Sequence, residues 1–314
     1  METPPATERP LYTVADLRDW PHAAGGLEPP IRLAVFGDPV AHSASPPMHN
    51  AALQAGGWPL RYARIQVRPE ELAEALRLAA AENFIGLNLT LPHKAAVLPL
   101  LTAVDAHAWA LGAVNTLRLE ADGSWRGFNT DGPGFIGAVR AEFGLELPGA
   151  GVLILGAGGG AGRALAAECV LAGCRLVALV NRTQAKAQAL ALELGALARG
   201  NASGQKVGIE VVPWQPVALA TAVRRVDLVV NASTLGLQHS DPSPLTVAQL
   251  SSQPAVFDTV YRADGTATAL LSVARQAGVR TAGGLALLLQ QGALSFEHWF
   301  GQPAPVEIMR AALL

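Results

Sequence analysis

Gly151-Val152-Leu153-Ile154-Leu155 runs straight into Gly156-Ala157-Gly158-Gly159-Gly160-Ala161-Gly162, and the reading of this stretch decides the fold. A short apolar run with no polar alternation reads as a strand buried on both faces, as in a parallel sheet. The glycines behind it let backbone N–H groups approach an anion closely. The Ala/Leu-rich stretch from Arg163 to Leu171 then reads as a helix whose positive N-terminus faces the same place. Arg175 to Val180 reads as the next strand and ends at Asn181-Arg182-Thr183. In a dinucleotide fold that strand end meets the adenosine ribose, and an acid there accepts from the 2′-hydroxyl of NAD. This chain has Asn181, Arg182 and, a helical turn on, Lys186, with no acid between. Arg and Lys pair with a 2′-phosphate, so the expected cofactor is NADP. A glycine turn alone is a weak signal, and an ordinary tight turn is the plain alternative. The order strand, glycines, helix, strand, basic cluster is what favours a dinucleotide. Counted from Gly156 and Gly158, the third glycine position falls on Ala161, and Gly162 comes one residue late.

The bulk properties narrow the class. At 314 residues the chain has room for two domains, and 50% hydrophobic residues can fill two cores. No apolar run reaches the roughly 18–20 residues that span a bilayer. The polar, proline-rich start from Met1 to Pro10 lacks the apolar segment of a secretory signal, and a cytoplasmic protein is expected. A formal net charge of −2 offers no basic field for nucleic acid, and the scattered tryptophans form no stacking ladder. Cys169 and Cys174 read as buried free thiols. His42, His49 and His93 are dispersed, without metal-ligand spacing; no metal is expected, and His49 and His93 read as partly buried polar residues.

The first thirty residues, rich in Pro, Ala and Gly with a short amphipathic piece at Val14 to Trp20, read as an extension outside the main fold. Beyond it strands alternate with helices. Strands are expected at Ile31 to Phe36, Arg61 to Val67, Phe84 to Leu91, Val114 to Leu119 and Trp125 to Phe128. Further strands are expected at Gly208 to Val212, Asp227 to Asn231 and Ala255 to Thr259. Helices are expected at Pro47 to Gly56, Pro69 to Glu82, from Pro92 to Leu101, Asp105 to Leu111, Asp131 to Phe143, Gly284 to Phe300 and from Pro305. The class is α/β.

Three clusters could carry chemistry. In His42-Ser43-Ala44-Ser45-Pro46, two hydroxyls at alternate positions could hold a carboxylate or sugar-like hydroxyls. Read alone, Ser45 before Pro46 is more simply a helix N-cap. In Asn88-Leu89-Thr90-Leu91-Pro92-His93-Lys94, Asn88 and Thr90 share a strand face and Lys94 follows the proline break. Lys94 is a proton donor if held in a cleft and a solvated strand end otherwise. Gly112-Ala113-Val114-Asn115-Thr116 and Asn129-Thr130-Asp131-Gly132 read as turns and caps, or as groups that orient Lys94.

These segments, in this order, resemble the shikimate dehydrogenase family. The likeness runs from Gly37-Asp38-Pro39-Val40-Ala41 through the three clusters, the glycine turn and Asn181-Arg182-Thr183. It continues through Asp227 to Gly236, Phe257-Asp258-Thr259-Val260-Tyr261, Gly284-Leu285 and Gln291-Gly292-Ala293, to Trp299 and Gly301. The resemblance implies Lys94 and Asp131 as the catalytic pair, with Lys94 moving the proton. It implies Ser43, Ser45 and Tyr261 on a substrate carboxylate, and Thr90, Asn115, Asp131 and Gln291 on ring hydroxyls. Gly156, Ala157, Gly158, Gly159, Gly160 and Ala161 would cradle the pyrophosphate, with Asn181, Arg182, Thr183 and Lys186 at the 2′-phosphate. Leu287 stands where a methionine often meets the nicotinamide. The stretch from Gly156 to Asn181 is longer than the family's spacing, and Ala263 and Ala269 replace prolines expected after Tyr261.

The implied protein has an N-terminal extension (1–30), an α/β substrate-binding catalytic domain (31–130, completed by 284–314) and a Rossmann-type NADP domain (131–283). The active site is expected in the cleft between the last two. The implied activity is reversible NADPH-dependent reduction of 3-dehydroshikimate to shikimate, on the pathway to chorismate and the aromatic amino acids. One alternative is a quinate/shikimate dehydrogenase of broader substrate and cofactor range. Arg182 in place of an acid, and Ser45 without an added methyl, argue against it. Another is a catalytically silent NADP-binding sensor, against which the presence of both Lys94 and Asp131 counts. The expected partners are small molecules only, and a homodimer is compatible with the sequence.

Overall fold

The computed structural model describes residues 8–199, 206–250, 254–262 and 264–314. Ala263, and the part of the N-terminal segment before Glu8, lie outside them. The chain divides into two compact units, one running to Thr130 and resuming at Leu289–Leu314, the other Asp131–Leu288. No helix among the described residues is long and apolar enough to cross a membrane.

The first unit holds a seven-stranded sheet built from β1 (Tyr12–Thr13), β2 (Ile31–Gly37), β3 (Arg61–Gln66), β4 (Gly86–Leu89), β5 (Ala103–Val104), β6 (Thr116–Leu119) and β7 (Trp125–Phe128), in the order β1-β3-β2-β4-β6-β7-β5. The strands from β1 to β4 pair in parallel, while β6 is antiparallel to both β4 and β7. Period-two alternation sorts the side chains. Leu87, Leu89 and Leu117 enter one apolar core with Phe36, Ile65 and Phe84, while Asn88 and Thr116 between them face the other way. That second face meets the helix Gly284–Phe300, whose Trp299 Nε1 donates to the Leu117 carbonyl at 2.9 Å. Gly86 lies beneath the same indole, where a Cβ would come within 2.6 Å of its Cε2.

The second unit is a six-stranded sheet of β8 (Gly151–Leu155), β9 (Leu176–Val180), β10 (Gly208–Val211), β11 (Leu228–Asn231), β12 (Ala255–Asp258) and β13 (Thr281–Ala282), in the order β10-β9-β8-β11-β12-β13 and parallel throughout. Renumbered within the unit, this is 3-2-1-4-5-6, the dinucleotide-binding winding that reverses between its first and fourth strands. Those two are β8, with the glycine turn at its carboxyl end, and β11.

The N-terminal reading needs correction. Residues 8–30 are part of the first unit's fold. Tyr12 and Thr13 pair with Ile65 and Gln66, and Tyr12, Val14, Leu17 and Trp20 are buried in its apolar core. Trp20 packs on Tyr12 at 5.1 Å and Phe84 at 5.4 Å between ring centroids. A two-residue strand and two short helices leave no periodic run to recognise. The one local mark is a capping box, in which Asp16 Oδ2 accepts from Thr13 N at 2.8 Å and Thr13 Oγ1 from Asp16 N at 3.4 Å. The expected helix from Pro92 to Leu101 is instead the short helix His93–Ala96 and a 3₁₀ turn Leu98–Leu100, split where Pro99 cannot supply an N–H. His49 and His93 are wholly buried rather than partly, and the free thiols Cys169 and Cys174 are buried.

Truncating Trp20 to Ala is expected to cost about 3–5 kcal/mol, the usual penalty for emptying a buried aromatic site. Thermal unfolding measures it, and an unchanged Tm would return residues 8–30 to the status of an appendage.

Candidate functional site

In the first unit a layer of polar side chains lies buried between the sheet and the helix Gly284–Phe300. Asn88 and Thr116 face each other in register across β4 and β6. Asn88 Nδ2 lies 2.9 Å from Ser295 Oγ, 3.1 Å from Thr116 Oγ1 and 3.2 Å from the Asn115 carbonyl. A carbonyl only accepts, which fixes the amide: its oxygen must face Tyr62, whose hydroxyl donates to it at 2.8 Å. The same reasoning orients Asn115. Thr130 N–H donates to Asn115 Oδ1 at 2.8 Å, so Nδ2 points to Thr130 Oγ1 at 3.0 Å and Gln291 Oε1 at 3.3 Å. Gln291 therefore meets Asn115 with its carbonyl end. Ser295 Oγ closes the layer on the Gln291 carbonyl at 2.9 Å. Asn88, Asn115, Thr116, Thr130, Gln291 and Ser295 are all buried.

Burial pushes the Tyr62 phenol well above its ordinary range. It pushes His49, stacked on Tyr62 at 4.5 Å, down to about 3, so that ring is neutral. His93 Nε2 donates to the Val67 carbonyl at 2.7 Å, which sets its tautomer and anchors the turn before Lys94.

Ser43 and Ser45 come together beside this layer. The Ser43 hydroxyl lies 3.2 Å from that of Ser45 and accepts from Ser45 N–H at 3.3 Å. The Arg64 Nε and Nη2 hold the Ser43 carbonyl at 2.9 and 2.6 Å. The simpler capping reading of Ser45 fails, because the helix Ser45–Ala55 already includes it and its N-cap, Ala44, makes no side-chain bond. Thr90 follows β4 and lays its methyl over Gly37. Lys94 is half-buried on the helix His93–Ala96, its carbonyl accepting from Val114 N–H at 2.8 Å.

The second unit carries the rest. Asp131 is the first residue of the helix Asp131–Phe143. Gly156 has φ of +84°, and a Cβ there would come within 2.6 Å of the Ser233 backbone, so glycine is required twice over. Gly156 and Ala157 N–H groups both donate to the Val180 carbonyl, at 2.9 and 3.0 Å. Gly158 N–H donates to Asn181 Oδ1 at 3.1 Å and Asn181 Nδ2 to the Thr183 carbonyl at 2.9 Å, so Asn181 ties the turn to the basic loop.

The late glycine has a physical reason. A Cβ on Gly162 would sit 2.8 Å from Ala157 Cα, so Gly162 permits the close helix–turn packing, and Ala161 is exposed. Gly159 caps the helix Gly160–Leu171, whose first-turn N–H groups have no partner within the helix. Beside the turn lies a hollow of about 170 Å³ lined by Ala157, Gly158, Arg163, Lys186, Ala189 and Leu190. Arg182, Thr183 and Lys186 are exposed next to it in sequence. Gly159 N–H donates to the Gly156 carbonyl at 3.0 Å, so the N–H groups of Gly156, Ala157, Gly158 and Gly159 are all engaged within the protein, and the expected cradle narrows to the helix start at Gly160, Ala161 and Gly162. That helix start and these cations fit a dinucleotide with a 2′-phosphate. Tyr261 is half-buried after β12, and Leu287 is half-buried in the first turn of the helix Gly284–Phe300.

Reading the sequence missed Tyr62 and Ser295 altogether, and it named Thr116 and Thr130 only within a cluster read as turns and caps or as groups that orient Lys94. Thr130 lies between β7 and the helix Asp131–Phe143, and the other three acquire their role only from the partners the fold brings to them.

Residues 35–117 match the family described as the shikimate dehydrogenase substrate binding domain, and residues 284–314 the shikimate 5′-dehydrogenase C-terminal domain. A shikimate dehydrogenase (NADP(+)) of Symbiobacterium thermophilum is 40% identical over 90% of this chain and 93% of its own length. The shikimate 5-dehydrogenase of Thermus thermophilus, solved in complex with NADP(H) and shikimate, superimposes with a TM-score of 0.77 at 38% identity over 90% of this chain and 98% of that one. A quinate dehydrogenase of Corynebacterium glutamicum in complex with NAD reaches 0.78 at 30% identity over 90% and 98%. With its dinucleotide winding and relatives matched along nearly their whole length, the chain belongs to the shikimate dehydrogenase family.

Proposed function

We propose that this protein is an NADP-dependent dehydrogenase that reversibly reduces 3-dehydroshikimate to shikimate. The observation that carries the reading is the pairing of the buried hydroxyl-and-amide layer around Asn115 and Gln291 with a glycine turn flanked by Arg182 and Lys186. A small polyol acid needs such matched groups, because each buried hydroxyl left unpaired costs about 1–3 kcal/mol.

Bound NADPH supplies the hydride. The chain supplies the rest. Ser43 and Ser45 donate to the substrate carboxylate, with Arg64 holding their loop and Tyr261 as a third donor. Thr90 and Gln291 meet ring hydroxyls, and Asn115 sets which end of Gln291 they meet. Lys94 gives its proton to the oxygen that gains charge as the ketone is reduced and takes it back in the reverse direction, and Asp131 is the second catalytic residue, accepting from a substrate hydroxyl. Arg182, Thr183 and Lys186 hold the 2′-phosphate, and Asn181 keeps their loop against the turn. Leu287 packs on the nicotinamide.

The second reading, a dehydrogenase that prefers quinate and NAD, is favoured by the likeness to the Corynebacterium enzyme. It is opposed by the absence of an acid in Asn181-Arg182-Thr183.

Lys94→Met keeps the unbranched stem and removes the exchangeable protons. It is expected to lower kcat by about 10²–10⁴ with the NADP Kd unchanged. A folded variant turning over at near the parent rate would sink the assignment.

Arg182→Ala is expected to weaken NADP by about tenfold to a hundredfold, the worth of a charge-assisted hydrogen bond, while NAD binding barely moves. Equal losses for both cofactors, measured by titration, would make Arg182 a structural residue.

A further inference from the structure

The carboxyl ends of β11 and β12 hold a buried carboxylate that the proposed chemistry does not use. Asn231 and Asp258 face each other in register, and neither has exposed surface. Asp258 Oδ1 accepts from Asn231 Nδ2 at 2.8 Å and Val260 N–H at 3.1 Å, and Oδ2 accepts from Thr268 Oγ1 at 2.6 Å. Burial pushes this carboxyl above the usual carboxylate range, and the Thr268, Val260 and Asn231 donors oppose it. A buried acid is tolerated only when its lone pairs are met, so the position of each donor is fixed by it.

Each donor leads to a different segment. Asn231 Oδ1 accepts from Ser233 N–H at 3.1 Å and Oγ at 2.7 Å, and Nδ2 also reaches the Leu235 carbonyl at 2.9 Å. Ser233 is the residue whose backbone closes on Gly156. Val260 leads directly to Tyr261 and Arg262. The Arg262 guanidinium donates to the carbonyls of Gly236 at 2.8 Å and of Gln238 and Ala267 at 2.9 Å, lacing the loop after β12 to the loop after β11. Thr268 caps the helix Ala269–Gln276, accepting from Leu271 N–H at 3.3 Å.

We infer that Asp258 is a positioning residue that couples the glycine turn to Tyr261, so that filling the NADP site sets the Tyr261 contact with the substrate carboxylate. This rests on the proposed roles of the turn and of Tyr261. The route is short and made of packed or bonded atoms: Gly156 against Ser233, Ser233 to Asn231, Asn231 to Asp258, Asp258 to the N–H that precedes Tyr261. A pyrophosphate that fixes the turn removes freedom at Ser233, and the carboxylate passes the restriction to Val260. By linkage, shikimate must tighten the cofactor by the same factor.

The test is the Kd of shikimate measured by calorimetry with and without saturating NADPH, a pair that cannot react because both members are reduced. The intact protein is expected to bind shikimate at least about fivefold more tightly with NADPH present. Asp258→Asn keeps the shape but sets an amide nitrogen against one of the donors. It is expected to bind NADPH alone within about threefold of the parent and to lose the coupling to below about twofold. Thr268→Val, which removes one hydroxyl, is expected to move the coupling the same way and decides the matter where Asp258→Asn does not fold. Coupling unchanged in a folded variant, even with a lowered Tm, would overturn the inference and leave Asp258 purely structural. Tyr261→Phe separates the two levels. An unchanged shikimate Kd there removes the substrate role of Tyr261 and the inference with it. A weakened Kd, beside intact coupling in Asp258→Asn, overturns the inference alone.

Discussion

A primary amide taken out of water must place its two hydrogens and its oxygen on partners, and Asn88 does so only because three elements converge on it. Its nitrogen is met from β6 and from the helix Gly284–Phe300, its oxygen from Tyr62 on β3. Each partner left unmatched would cost about 1–3 kcal/mol, so the register of β4 on β6 and the seating of that helix are fixed together. Ser295 and Gln291 lie one helical turn apart on the helix, and fixing one fixes the other. Gln291, assigned to a ring hydroxyl, is thus held by the constraint that holds the fold.

The second unit solves a different problem with backbone. Its winding brings the carboxyl ends of β8 and β11 side by side, where parallel-sheet folds gather their ligands. Gly156 and Gly162 are needed there because Ser233 and Ala157 leave no space for a side chain. Side-chain charge comes from Arg182 at the next strand end and from Arg163 and Lys186, which line the hollow beside the turn. Directional side chains are thus gathered in one unit, and a helix N-terminus and cations in the other.

The parts of this architecture written as runs or motifs were legible in the sequence. Gly151 to Leu155 has no polar residue to mislead, and the glycine turn behind it marks the strand's carboxyl end. The segments 8–30 were not legible, because Tyr12, Leu17 and Trp20 are buried by a sheet edge formed with Ile65 and Gln66, far along the chain. Ser45 looked like a cap since sequence alone does not say whether a serine before proline lies just outside a helix or at its first position. Tyr62 and Ser295 were invisible for a related reason. A tyrosine in an alternating strand and a serine in an apolar helix acquire meaning only when β4 brings Asn88 between them. The late Gly162 was noticed as an irregularity, and only packing against Ala157 shows what it is for.

The central claim is that these two sets of groups select shikimate and a phosphorylated dinucleotide together. Steady-state kinetics on the purified protein with shikimate and quinate, each with NADP and with NAD, test it directly. The account requires kcat/KM to be highest for shikimate with NADP and to fall when either is exchanged. A higher value for quinate with NAD would contradict the account, and so would a folded protein that binds NADP but turns over neither substrate.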